Sequence, residues 1–371
     1  MLIFLFSSSL FLANGSGLWS KSSFGGAVHP GYFLPGDAVE NGNTFHFAAV
    51  TDLDKLSAVL DKDGGKTGKF RSVLLPGTIT KGSDNKYSVK FENIRELISK
   101  HNEGGRGMEL SELILFQNRL LSFDDRTGSV FEVLNQGKGS DSFVVPRFVV
   151  TEGEGDTDKG MKWEWASVKD GELYMGSMGK EYTDRDGNIV NVNNLWISII
   201  NKDGQLRRED WTDRYHFIRK KLKATAPGYV INEAISWSPH LNKWVFMPRR
   251  ISSEMYDDVK DEKMGAAKIV LVNEAFTSAE VIDIKFTDND PLHGFSTFAF
   301  VPGSKDRHVL AVRTVEEDCA LEDESLCKQR SYFLVVDITT GDVLMEEILP
   351  PGEPLKFEGV EFVNMYTPEK Q

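Results

Sequence analysis

The chain has 371 residues, 40% hydrophobic, 27% charged and 11% aromatic, a balance that fits a folded globular protein and excludes disorder for most of its length. Lys and Arg total 43 against 56 Asp and Glu, a formal charge of −13. A nucleic-acid polymer is therefore not an expected partner, because its phosphates need a basic face. An acidic protein that handles an anionic substrate needs a cation to mediate.

The chain opens MLIFLFSSSLFLANGSG. Its apolar stretch from Leu2 to Ala13 has the length of a signal-peptide core and is too short to cross a bilayer. No Lys or Arg precedes it, and a buried N-terminal strand is the other reading. Residues 1–17 are expected to be a signal peptide, which implies secretion or the ER and Golgi lumen. Asn14-Gly15-Ser16 is a glycosylation triplet. No other window approaches the ~20 apolar residues of a membrane span. Residues 18–45 are rich in Gly, Ser and Pro and read as an irregular arm; residues 46–371 read as one domain, a monomer or weak homodimer.

From there the chain is strand after strand: FHFAAVTDL, KYSVKFE, SELILF, RLLSF, GSVFEVL, DSFVVPRFVV, ELYMGSM, WISII, KWVFMP, KIVLV, STFAFV, HVLAVRT, SYFLVVDIT and DVLMEEI. Each is short, rich in β-branched or aromatic residues, and bounded by turn sequences such as DDRTG, VKDGE, NKDGQ and TTGD. Helical spacing is confined to Trp211–Lys223, with Pro227 shortly after it, and to a short candidate at Ile94–His101. Gly64-Gly65-Lys66-Thr67 resembles part of a phosphate-binding loop. Leu60 stands where the earlier glycine should be, so it reads as a hairpin turn.

The strands also repeat. SELILF, EWASV, EAISWS, STFAFV and EGVEFV begin at Ser111, Glu164, Glu233, Ser296 and Glu358, at intervals of 53, 69, 63 and 62 residues. The first four are followed by a polar turn and a second apolar strand; the fifth stops after one. A period of this size in an all-β chain predicts a β-propeller, and five starts predict five blades. The lone last strand would join the N-terminal strands and close the ring. A pair of β-sandwiches leaves the single period unexplained.

In a propeller the first residues of the inner strands meet near one channel mouth. Glu164, Glu233 and Glu358 would converge there, with carbonyls or hydroxyls of Ser111 and Ser296. Three like charges so close call for a cation, and an all-oxygen set suits Ca²⁺. Acids that merely begin strands and face solvent are the alternative. Arg249 and Arg250 offer planar donors for phosphate oxygens, and Arg106 and Arg126 are further candidates; surface ion pairing is the alternative for each. Cys319 and Cys327 flank an acidic loop, CALEDESLC. In a secreted chain they read as a hairpin staple, otherwise as two free thiols.

The motif content points further. GRGMELSELILF, SFDDRTGSVFEV, KGMKWEWASV, MGSMGKEY, PGYVINEAISWS, WVFMPRRIS, HGFSTFAFVP and KFEGVEFV, with AAVTDLD before them, resemble the calcium-activated nucleotidase (apyrase) family in family order over residues 46–363. The resemblance implies a five-bladed propeller with calcium in its channel, and hydrolysis of nucleoside di- and triphosphates. It implies metal positions at Ser111, Glu164, Glu233, Ser296 and Glu358, and active-site acids at Asp52, Asp54 and Asp125. The aromatic after GKE, Trp in the family, is Tyr182 here, a departure that allows base stacking and leaves base preference open. The loop carrying Cys319 and Cys327 lies between motifs and is expected to stay clear of the site. Two rivals remain at this stage: a calcium-stabilised binding propeller without catalysis, and a propeller glycosidase with paired carboxylates, which would not need the arginines.

Overall fold

The computed structural model describes residues 33–135, 142–184, 187–321 and 327–365. The apolar N-terminal run, the Asn14 triplet and the arm up to residue 32 lie outside the described residues. Five antiparallel sheets form the blades of a propeller. In the second blade, Leu110–Phe116, Arg119–Asp124, Ser129–Asn135 and Ser142–Val149 run in order from the channel outward. The third, fourth and fifth blades repeat that order from inner strands Trp165–Lys169, Ala234–Ser238 and Gly294–Phe300.

The first blade is made from both ends of the chain. Its inner strand is Phe357–Glu361, which pairs with Thr44–Thr51 through Ala49 opposite Val360 and Val50 opposite Gly359. Thr44–Thr51 then pairs with the long strand Lys66–Lys81. The five inner strands neighbour one another in a closed ring. Gly359 lies where two of them approach most closely. A Cβ there would sit 2.5 Å from the Glu112 carbonyl carbon and 2.6 Å from the Leu113 nitrogen.

Five hydrophobic clusters fill the five spaces between blades. In the first blade Phe47 and Ala49 face the fifth blade, against Leu310 and Phe333, while Ala48 and Val50 face the second, against Leu113 and Phe131. In the fourth blade Trp244 and Phe246 join one cluster and Val245 and Met247 the next. Successive side chains point to opposite faces of a strand. Here both faces are buried, so the strands read as continuous apolar runs rather than alternating ones. Each fully buried Phe in these layers, Phe116 and Phe295 among them, contributes roughly 1.5–3 kcal/mol.

The predicted helix forms as Thr212–Lys221 and sends Tyr215 and Ile218 into the cluster between the third and fourth blades. Gly64-Gly65-Lys66-Thr67 lies in a hairpin: the Asp61 N–H donates to the Gly65 carbonyl, and Leu60 pairs with Lys66. Ile94–His101 is not helical. Arg95–Ser99 is a strand paired with Phe70–Leu74, because the long strand leaves an open edge there and only Leu97 needs burial. Lys66–Lys81 itself was not expected, since Gly68, Pro76 and Gly77 read as turn residues. It tolerates Pro76 opposite Ala48 and binds two short strands, Tyr87–Phe91 and Arg95–Ser99, along its other edge.

Candidate active site and metal centre

The residues at the unit starts are buried at the inner ends of their blades. Glu164, Glu233 and Glu358 are 3%, 6% and 3% exposed. Burial, aided by the charges of Glu233, Asp125 and Glu358, pushes the Glu164 carboxyl well above its ordinary range despite Lys162. Burial likewise pushes Glu358 up to about 7, against the pull of Lys356 and Arg249. Geometry brings two of them together, since the Arg249 guanidinium pairs with both Glu233 and Glu358.

The two unit starts that are not acidic have a different local structure. The ladder shifts register between Leu110 and Glu112, and again between Phe295 and Thr297. Ser111 and Ser296 are thus the extra residues of β-bulges, which lack a cross-strand partner. The Ser296 hydroxyl is bonded to Thr314 Oγ1 at 2.7 Å and donates to the Phe357 carbonyl at 3.2 Å. At Ser296 the hydroxyl is thus engaged, and the carbonyl is the freer oxygen for a cation. Buried carboxylates with bulge carbonyls would be an all-oxygen donor set, and calcium takes six to eight oxygens at about 2.3–2.6 Å.

The acids expected from AAVTDLD and DDRTG meet beside that ring. Ligand oxygens of Asp52, Glu109 and Asp125 lie within 4.8 Å of one another. Asp52 is 2% exposed, and burial and the Asp54 charge raise its carboxyl well above the usual range. Glu109 is raised to about 7 by burial, with the Asp125 charge adding to it. Asp125 Oδ2 is ion-paired with Lys162, while Asp125 Oδ1 is buried with no hydrogen-bond partner among the described residues. Asp54 is the most open of these acids, with its side chain 36% exposed. The turn behind them is held by Asp124, which accepts from the Met108, Arg126 and Thr127 N–H groups at 2.8, 3.0 and 3.2 Å. Gly128 closes it at φ +68, where a Cβ would lie 2.3 Å from the Val150 carbonyl oxygen.

Three buried or half-buried cations thread these acids together. Lys356 Nζ lies 2.7 Å from Asp52, 2.6 Å from Asp54, 3.3 Å from Glu316 and 3.7 Å from Glu358. Lys162 bridges Asp125 and Glu164, the latter at 2.7 Å. Burial alone would lower both ammonium groups, but these carboxylates hold them well above their ordinary range. Arg249 pairs with Glu233, with Glu358 at 2.9 Å and with Glu316 at 2.6 Å. Asp52, Asp54, Glu109, Asp125, Glu164, Glu233, Glu316 and Glu358 face only Arg106, Lys162, Arg249 and Lys356 within these contacts. Twice as many acids as cations leaves room for a divalent ion.

The four remaining expected residues have separate surroundings. Arg106 bridges Glu109 and Asp54, the latter at 3.4 Å, so it stands at the edge of the acid cluster. Arg126 pairs with Glu103 at 2.7 Å. Arg250 is 2% exposed and donates to the Leu292 carbonyl at 3.2 Å, with Asp261 at 3.7 Å. Tyr182 is 44% exposed on a short strand pair, with the Lys159 ammonium 5.0 Å from its ring centre. It borders a cleft of about 510 Å³ that also takes in Lys180, Ile231 and Tyr256.

Lys162, Lys356, Glu109 and Glu316 were not anticipated. A signal for three of them was present, since Glu109, Lys162 and Lys356 each stand two residues before a unit start, on the same face of an extended chain. Glu316 carries no comparable mark. Cys319 and Cys327 form a disulfide. The expectation that their loop stays clear of the site does not hold: both cysteines line a cleft with Asp54, Arg106 and Glu316. The two cysteines stand at the ends of long paired strands, His308–Glu317 and Lys328–Asp337, which bring them to this cleft.

Fold and site together define a five-bladed propeller whose channel mouth gathers buried acids suited to a metal ion. Residues 58–363 match the family model described as Apyrase, and the chain belongs to the apyrase family. It is 40% identical to an apyrase of Cimex lectularius, over 86% of this chain and 82% of that protein. It is 36% identical to the apyrase apy-1 of Caenorhabditis elegans, over 84% and 82%. It is 32% identical to the soluble calcium-activated nucleotidase 1 of Rattus norvegicus, over 89% and 76%.

Proposed function

We propose that this chain hydrolyses nucleoside di- and triphosphates to release inorganic phosphate, with Ca²⁺ as its cofactor. Glu164, Glu233 and Glu358, with the carbonyls of Ser111 and Ser296, would hold the ion. When bound, it would supply a Lewis acid and offset repulsion between substrate phosphates and an acidic site.

The observation that carries the reading is Asp125. Lys162 fixes one of its oxygens and leaves the other buried with no hydrogen-bond partner among the described residues, beside Asp52 and Glu109. An anionic oxygen so placed can orient a water and accept its proton as the water attacks phosphorus. Asp52 and Asp54, tied by Lys356, add negative charge beside it, and Arg106 offers donors to phosphate oxygens. Arg249, committed to three carboxylates, acts first as counter-ion to the ring. Tyr182 presents a flat face on which a nucleobase of any kind can stack. The match to the apyrase family favours catalysis over a binding propeller without it. The disulfide supports an oxidising compartment, in keeping with secretion or the secretory lumen.

The test is phosphate release from a panel of nucleoside di- and triphosphates in Ca²⁺, in Mg²⁺ and in chelator. Turnover in Ca²⁺ that chelator abolishes is expected. No phosphate release from any nucleotide in Ca²⁺ would overturn the reading.

A further inference from the structure

The two long strands of the fifth blade each send one side chain into the acid cluster. Glu316 and Gln329 are cross-strand partners in this ladder. Glu316 pairs with Lys356 and Arg249. The Gln329 amide donates from Nε2 to Asp54 Oδ2 at 2.8 Å. Gln329 is two residues from Cys327, and Glu316 three from Cys319. The disulfide therefore closes the hairpin immediately beyond the pair that enters the site. On its near side the hairpin is fastened again, because the Asp318 and Ala320 N–H groups donate to the Glu262 carboxylate at 3.0 and 2.9 Å. Asp54, Arg106, Glu316, Cys319, Cys327 and Gln329 line one cleft of about 300 Å³.

We propose that Gln329 is a positioning residue for Asp54 and that the Cys319–Cys327 disulfide holds it in place, so that one covalent bond on the rim sets the substrate-facing carboxylate of the site. Asp54 has two anchors on the same oxygen, the buried Lys356 ammonium and the Gln329 amide. Lys356 is shared among four carboxylates and is a mobile point charge in direction, whereas the amide supplies a directed bond. Without it Asp54 keeps its charge and loses its orientation toward Arg106. Opening the disulfide leaves the strand ends to the Glu317–Lys328 pair and the Glu262 contacts, and the amide loosens with them. The inference rests on the reading of Asp54 as part of the nucleotide site.

The chain has only two cysteines, so a thiol reductant acts on this bond alone. The test compares the wild-type protein and Gln329→Ala, each with and without dithiothreitol in Ca²⁺, with titration of two thiols per chain confirming reduction. kcat, KM for a nucleoside diphosphate and Tm are read on one preparation. Reduction of the wild type should raise KM about tenfold, the size of one hydrogen bond to a charged group. Gln329→Ala should show the same rise already oxidised, and reduction should add nothing further. A hairpin that is merely structural would lower Tm and the active fraction and leave KM unchanged, which would overturn the proposal. A full additional loss on reducing Gln329→Ala would overturn it too. Asp54→Asn with wild-type kcat and KM would instead defeat the site reading beneath it, and is measured alongside to separate the two failures.

Discussion

Replacing Asp125 with Asn separates charge from shape at the acid cluster. The amide oxygen of Asn can still face Lys162, which also keeps Glu164 at 2.7 Å, and the backbone N–H of residue 125 still reaches the Glu109 carbonyl at 3.0 Å. What is lost is the negative charge that raises the carboxyls of Asp52, Glu109, Asp124 and Glu164. Relief of that repulsion offsets the weaker pairing with Lys162, so stability should change by about 1 kcal/mol at most. Proton transfer is a different matter, because an amide cannot accept the proton of an attacking water. We expect kcat to fall by roughly 10²–10⁴, the range of a general base, or about 3–5 kcal/mol in the barrier. The control is the adjacent residue. Asp124→Ala removes three backbone hydrogen bonds from the turn and should cost about 2–4 kcal/mol of stability, while turnover per folded molecule stays near wild type. Steady-state phosphate release and thermal melting on the same preparations separate the two effects. A stable Asp125→Asn protein with wild-type kcat would remove Asp125 from the chemistry.

Tyr182→Ala should raise KM for several nucleotides together more than it lowers kcat, and an unchanged KM across the panel would place Tyr182 outside the site. Lys356→Met should destabilise the protein by about 3–5 kcal/mol, because four carboxylates lose a buried counter-ion, and added Ca²⁺ should recover part of the melting temperature; a variant as stable as wild type in chelator would contradict this. The pH dependence in chelator has a definite sign. Burial holds Glu358 and Glu361 at about 7 in the folded chain against 4.5 for an ordinary Glu, so between these values the folded state keeps protons that the unfolded state has released. Stability of the calcium-free protein should therefore fall as pH rises from 4.5 to 7, and a melting temperature that climbs across that window would contradict the assignment.

The propeller was legible because its repeat is carried by turn residues and by the first residue of each inner strand, both local features. The ring closure was legible for the same reason, since EGVEFV lacks the second strand that the other four units have. Lys66–Lys81 and Arg95–Ser99 were not, because their pairing is decided by an open sheet edge and not by their own residues. At the site, Glu164, Glu233 and Glu358 announce themselves by their place in the repeat. Lys162 and Lys356 share that place two residues earlier, yet a lysine beside an acid usually means a surface pair. Glu316 and Gln329 carry no mark at all, since only the length of two paired strands brings them over the mouth. The disulfide was legible as a bond and misplaced as a neighbour, because distance along the chain from the motifs says nothing about how far a long hairpin reaches.

We propose that the ion hydrolysis needs is the one the unit-start residues would hold. Titrating Ca²⁺ into the chelated protein while following both melting temperature and phosphate release from a nucleoside diphosphate tests it directly. Both signals should rise with one midpoint in the wild type, and Glu233→Gln should shift both midpoints together to higher Ca²⁺. Activity that rises with no change in melting temperature, or a Glu233→Gln variant whose two midpoints stay at the wild-type value, would contradict a shared central site.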